Sequence, residues 1–217
     1  MEEGGEPVLT DLMDFFLYCL LDPVYLWRHM GGKAFPAFSN WLLIKRIESL
    51  RDAMRRALEG SRFLPVSRIA DLARSVRGIV STGNQAGEGW LLTAEMLELI
   101  DHGVGNVLCL QPFGCLPNHI TGKGVLKELK RIRPHANLMA VDYDPGSSEA
   151  NQLNRIKLFM TVAHSRIPQE AQGDHAPASL NESVAQLAGR LRDNLKGKLE
   201  NTIGGSGNSG DEVTNLA

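Results

Sequence analysis

Asn106-Val107-Leu108-Cys109-Leu110 runs directly into Gln111-Pro112-Phe113-Gly114-Cys115-Leu116-Pro117-Asn118-His119, an apolar strand that breaks into an irregular turn carrying two prolines, a glycine and a cysteine. A plain connection between strand and helix needs none of these residues, and a cysteine at such a turn can face a cleft rather than a core. Working outward, the same rhythm recurs on both sides. A short strand is expected at Gly78 to Ser81, followed by a Gly-rich turn and a helix from Trp90 to His102 that ends at Gly103. Downstream, a helix from Gly122 to Ile132 stops before Pro134, a strand follows at Leu138 to Asp142, and a helix at Ser147 to Ala163. Three short apolar strands alternating with helices predict an α/β fold, a Rossmann-like three-layer unit with a short parallel sheet.

The flanks differ in character. Residues 8 to 30 carry Leu9, Leu12, Met13, Phe16, Leu17, Leu20 and Leu21 at helical spacing until Pro23 interrupts the stripe, and residues 38 to 59 carry Trp41, Leu42, Ile44, Ile47, Leu50, Met54 and Leu58 before Gly60. Residues 1–60 therefore read as N-terminal helices, the interior of a larger domain, and 61–165 as the Rossmann-like domain. Residues 166–217 read as a polar helix over Leu180 to Leu199 and a Gly/Ser/Asn-rich disordered C-terminal tail. The hydrophobic fraction of 43% supports a core, while 23 basic against 25 acidic residues give no electrostatic footprint for nucleic acid or a membrane surface. An odd count of 3 cysteines without regular spacing argues against disulfide stapling and for a reducing, cytoplasmic setting. The acidic start Met-Glu-Glu-Gly-Gly-Glu is wrong for a signal peptide, and no apolar run reaches the roughly 20 residues that span a bilayer.

In an open α/β sheet ligands sit beyond the carboxyl ends of the strands, so three turns are candidates for one rim. The first contains Gly83, Gly87, Glu88 and Gly89. Its glycines allow close backbone approach at a helix start, yet the G-x-G-x-x-G order is missing, and a tight turn with a helix cap explains it equally. The third, Asp142-Tyr143-Asp144-Pro145-Gly146-Ser147-Ser148, supplies Asp142 and Asp144. Ser147 or Ser148 is expected to cap the next helix, and the two carboxylates can alternatively hold a cation or a partner's amide. Lys123 lies in Gly122-Lys123-Gly124, which departs from the Walker pattern; it is either an ordinary solvated lysine or a contact for an anionic group such as a CoA phosphate.

Cys19, within the first helical stripe, and Cys109, within the strand, have the profile of small buried hydrophobes. Cys115 differs, because backbone N–H groups of its turn can hydrogen-bond cluster sulfurs. It is the leading candidate metal ligand, with Cys109 and His119 as further candidates. His119 either coordinates or orients the loop, and Asn118 completes the rim beside it.

Taken in order, Gly87-Glu88-Gly89-Trp90, Gln111-Pro112-Phe113-Gly114-Cys115-Leu116-Pro117-Asn118-His119-Ile120, Gly122-Lys123-Gly124, Asp142-Tyr143-Asp144-Pro145-Gly146 and Asn151-Gln152-Leu153-Asn154-Arg155-Ile156-Lys157-Leu158 resemble the carboxyl-terminal region of the large acyl-CoA dehydratase activase-related proteins. The resemblance covers roughly residues 5 to 165. It implies the fold of 2-hydroxyacyl-CoA dehydratase subunits, Rossmann-like domains that hold a [4Fe-4S] cluster by cysteines, with Cys115 the position carried over. It further implies anaerobic metabolism in which ATP hydrolysis drives a low-potential electron into a clustered partner, where ketyl-radical chemistry dehydrates a hydroxyacyl-CoA. The phosphate motifs of the family's ATP-hydrolysing domains have no counterpart here, so the chain is expected not to be an ATPase on its own and to be a separately encoded or truncated C-terminal piece. The cluster ligands are incomplete in this chain. Upstream activase or dehydratase domains, or a separate activase subunit, are the implied partners, with acyl-CoA as a further ligand. The alternative is a cluster-free scaffold or interaction domain docking onto those domains.

Overall fold

A computed structural model of the protein describes residues 4–144, 146 and 148–166, with 189, 192, 193 and 196 singly; the expected C-terminal helix and tail otherwise lie outside the described residues. The fold is mixed α/β and mostly helical: α1 (Leu12–Met30), α2 (Ala34–Leu58), α3 (Ile69–Ser75), α4 (Trp90–Asp101), β1 (Asn106–Gln111), α5 (Leu126–Ile132), β2 (Asn137–Asp142) and α6 (Glu149–Ser165). Among the described residues, 4–46 and 67–166 belong to one compact unit, and 47–66 with the isolated positions to a second. In the second unit, Arg55 ties a helical turn together by pairing with Asp52 at 2.8 Å and with Glu48, and it donates from Nε to the Val66 carbonyl at 2.9 Å. No helix among the described residues is long and apolar enough to cross a membrane.

The sheet is parallel, as the alternation of strands and helices requires. β1 pairs with β2 in a register running from Asn106 opposite Asn137 to Gln111 opposite Asp142. On β1 the buried positions alternate, Val107, Cys109 and Gln111, whereas β2 buries Leu138, Ala140 and Val141, the near-continuous apolar run of a strand covered on both faces. α6 packs on β2, burying Phe159 and Ala163, and α4 packs on β1 and α3 with Leu91, Ala94, Leu97 and Ile100 inside. Asn137 is buried at the start of β2, where its amide donates to Asn106 Oδ1 at 3.1 Å and to the Phe159 carbonyl at 3.3 Å, joining strands and helix.

Several expectations are corrected. Gly78 to Ser81 is not a strand: Ile79 and Val80 both donate to the Val76 carbonyl, and Gly78 takes φ +84°, so the segment coils after α3 and the described sheet has two strands, not three. Pro23 lies inside α1 without ending it; the helix begins with Asp11, whose carboxylate accepts from the Met13 N–H at 3.0 Å, and runs on to Gly31. The buried face of α1 is Asp14, Leu17 and Tyr18, not the long apolar stripe, so Leu9 is 88% exposed, Leu12 and Phe16 are exposed, and Cys19 points to solvent instead of a core. α2 starts four residues early, at Ala34, with Pro36 accommodated in the first turn; of its apolar series Ile44 is buried while Trp41 and Leu42 are exposed. Ser148 holds the N-cap position of α6 but makes no side-chain cap; its carbonyl alone receives the Asn151 and Gln152 N–H groups.

Candidate functional site

The chain leaves β1 at Gln111, turns through Gly114 at φ +71°, and enters a helix immediately after Cys115. Cys115 therefore occupies a helix start, with its N–H on the Pro112 carbonyl at 3.3 Å and its carbonyl accepting from His119 N at 3.0 Å. The helix is not regular: Asn118–Gly122 is a π turn and Lys123–Val125 a 3-10 turn before α5 begins. Such widened turns accumulate at functional sites. Two contacts hold this one. Thr93, buried on α4, donates to the Thr121 carbonyl at 2.6 Å, and the absence of a side chain at Gly122 admits the Cys109 sulfur, which would stand 3.0 Å from a Cβ there.

Asn118, only 4% exposed, is the hub of the site. Its Nδ2 donates to Cys115 Sγ at 3.1 Å and approaches Glu88 Oε2 at 3.3 Å, linking the first turn to the cysteine loop. Gly87, at φ +61°, abuts Pro117, whose Cγ would lie 2.7 Å from a Cβ, and this close approach reinforces the link. Gly89, the N-cap of α4 at φ +47°, has no room for any side chain: a Cβ would collide with the Asn84 carbonyl oxygen and Tyr18 Oη. The third turn is joined as well. Gln111 Nε2 donates to Asp142 Oδ1 at 2.5 Å across the sheet, and the Phe113 N–H donates to both Asp144 oxygens at 3.1 and 3.0 Å. The Gln111 hydrogen bond holds the Asp142 carboxyl below its ordinary range, helped by the positive charges of Lys123, Arg155 and His119. Close contacts thus link Glu88 and Gly87 to the segment of Cys115 and Asn118, while Phe113 and Gln111 of the same loop join Asp144 and Asp142, and Lys123 and His119 act on the Asp142 charge; Gly83 sits apart, under Tyr25 of α1, whose hydroxyl would meet its Cβ at 2.7 Å.

The two cysteines near the rim are chemically unlike. Cys109 is buried, and burial, with the charges of Glu88 and Glu95, pushes its thiol up to about 11, a protonated group unsuited to ligation as it stands. Cys115 is partly exposed, and apolar residues close to it in sequence face solvent: Phe113 at 81% exposure, with Leu116 and Ile120 also exposed. Among the described residues no three His, Cys, Asp or Glu side chains gather as a metal-holding group.

Sequence reasoning missed several residues that build the site. Gln111 is 1% exposed and anchors Asp142, while its Oε1 is buried without a partner among the described residues; its place at the strand end, directly before Pro112, was the available signal. Tyr18, beneath the first turn, donates to the Asn84 carbonyl at 3.5 Å and stacks edge-on with Trp90 at 5.3 Å; burial, chiefly, pushes its hydroxyl up to about 12. Nothing in the apolar spacing of α1 distinguishes it. No family model, curated protein or solved structure matches this chain.

Proposed function

We propose that the chain is an iron-sulfur-associated redox module of the acyl-CoA dehydratase activase-related type, in which Cys115 is one thiolate ligand of a [4Fe-4S] cluster completed by another polypeptide. The observation that carries this reading is the environment of one sulfur: Cys115 is partly exposed at a helix start and accepts an N–H from Asn118 at 3.1 Å, and Phe113, Leu116 and Ile120 of the same segment are exposed. An amide donor on a ligating sulfur is a known means of setting cluster potential. The cluster, when bound, supplies one-electron transfer. The chain's own part is to hold Asn118 against the sulfur through Glu88, to keep the loop closed through Asp144 on the Phe113 N–H, and to offer the exposed Phe113, Leu116 and Ile120 to the activase or dehydratase partner. Lys123 at the rim would meet an anionic portion of an acyl-CoA. The proposal includes a cytoplasmic setting and places β1 and β2 in a Rossmann-like three-layer fold.

Anaerobic reconstitution with iron and sulfide, on the chain alone and coexpressed with an activase subunit, tests it. Brown protein with charge-transfer absorbance that Cys115→Ser abolishes and Cys19→Ser preserves is expected. Colourless, iron-free wild type in both preparations overturns it.

A second reading, a cluster-free interaction domain, is favoured by the exposed Leu12 and Phe16 of α1 and by Phe35, Phe38 and Trp41 of α2. It predicts the same partner complex with Cys115→Ser, without iron.

A further inference from the structure

A cavity of about 410 Å3 is walled by α1, by α3 and by the coil from Arg77 to Gln85. Its volume lies in the range of small-molecule sites. Three of its lining residues, Arg28, His29 and Arg77, carry basic side chains, and none carries a carboxylate. Neither Arg28 nor Arg77 forms an ion pair among the described residues. The coil adds the hydroxyls of Ser81 and Thr82, while Leu21, Val24 and Val80 make an apolar wall.

Two further lining residues hold buried polar atoms without partners. Among the described residues, Trp90 is 1% exposed and its indole N–H has no partner, while Gln85 uses its Nε2 on the Thr82 carbonyl at 2.7 Å and its Oε1 is buried without one. Both atoms are closed to solvent, so a ligand in the open cavity does not reach them without a side-chain shift.

We propose that this cavity binds a small organic phosphate monoester. Two unpaired guanidiniums with two hydroxyls offer more donors than the two oxygens of a carboxylate use, and they suit the three terminal oxygens of a phosphate. The apolar wall of Leu21, Val24 and Val80 takes the organic group. Tyr25, tilted against His29 at 4.6 Å between ring centroids, closes one side.

Isothermal titration calorimetry on the full chain with phenyl phosphate, glycerol 3-phosphate, adenosine monophosphate and inorganic phosphate tests the proposal. Arg28 and Arg77 are exposed, so Arg28→Ala and Arg77→Ala leave the circular dichroism spectrum unchanged. At least one ester is expected to bind with Kd below about 1 mM, more tightly than inorganic phosphate, to weaken about tenfold in each arginine variant, and to weaken with added salt. Absence of binding by all three esters overturns it, as does binding that neither arginine variant alters. Inorganic phosphate binding as tightly as every ester overturns the assignment of an organic ligand.

Discussion

Asn118 reaches back three residues to place its Nδ2 3.1 Å from the Cys115 sulfur, from a side chain that is itself buried. The widened turn beginning at Asn118 sets this geometry, and Glu88, 3.3 Å from the same nitrogen, holds the amide in place from the other side. The sulfur is therefore oriented by two turns remote in sequence, not by its own loop alone.

Asn118→Ala removes the donor to both Cys115 and Glu88 and leaves these two half-buried acceptors without it. It is expected to lower unfolding free energy by about 1–3 kcal/mol, read as a reduced urea midpoint at unchanged slope. A variant as stable as the parent would mean that the amide does not bind the two turns together.

The three cysteines should react with iodoacetamide in an order set by exposure and protonation. Cys19 is exposed and Cys115 partly exposed, whereas Cys109 is buried with its thiol pushed up to about 11. At pH 7.5, mass spectrometry should find Cys19 and Cys115 labelled in the native protein and Cys109 only after denaturant is added. Native labelling of Cys109 at the rate of the other two would show that the β1 face is open.

Gly89→Ala places a Cβ on the Asn84 carbonyl and the Tyr18 hydroxyl at a backbone angle of φ +47°. No flexible side-chain end can yield to relieve the backbone contact. The loss of stability should be about 3 kcal/mol or more, accompanied by a change in near-ultraviolet dichroism as Trp90 shifts against Tyr18. Gly103→Ala is the control, since a Cβ there meets nothing within 4 Å and only its positive φ resists the change. Equal effects of the two substitutions would remove steric collision as the cause.

The parts of this fold that were legible in sequence are those decided by local pattern. β1 and β2 announced themselves as apolar runs bounded by turn residues. What failed was decided by tertiary partners. The Gly78 to Ser81 segment has strand-like composition, yet no neighbouring strand pairs with it, and Gly78 turns it back on α3. The first helix has apolar residues on more than one face, so spacing could not tell that Leu17 and Tyr18 would be inside while Leu12 and Cys19 stayed out. Gln111 and Trp90 became important only through groups more than twenty residues away or through the lack of any partner.

Glu95, on α4, provides the clearest pH dependence. Burial, with Asp14 as the next cause and the charges of Glu98 and Glu88 behind it, pushes its carboxyl up to about 8 from an ordinary value of 4.5, against a hydrogen bond from Thr10. The folded state therefore retains a proton on Glu95 between these two values while the unfolded chain has released it. Unfolding free energy must fall as pH rises across that window and level off above about 8. At roughly 1.4 kcal/mol per unit of displacement, the total change is on the order of several kcal/mol. Glu95→Gln keeps a neutral hydrogen-bonding side chain of similar size at every pH, so it should match the parent near pH 5, exceed its stability at pH 8.5, and flatten the slope between them. Urea unfolding curves at pH 5, 6, 7 and 8.5 measure this directly; parallel profiles for parent and variant would show that Glu95 is ionised in the folded protein throughout.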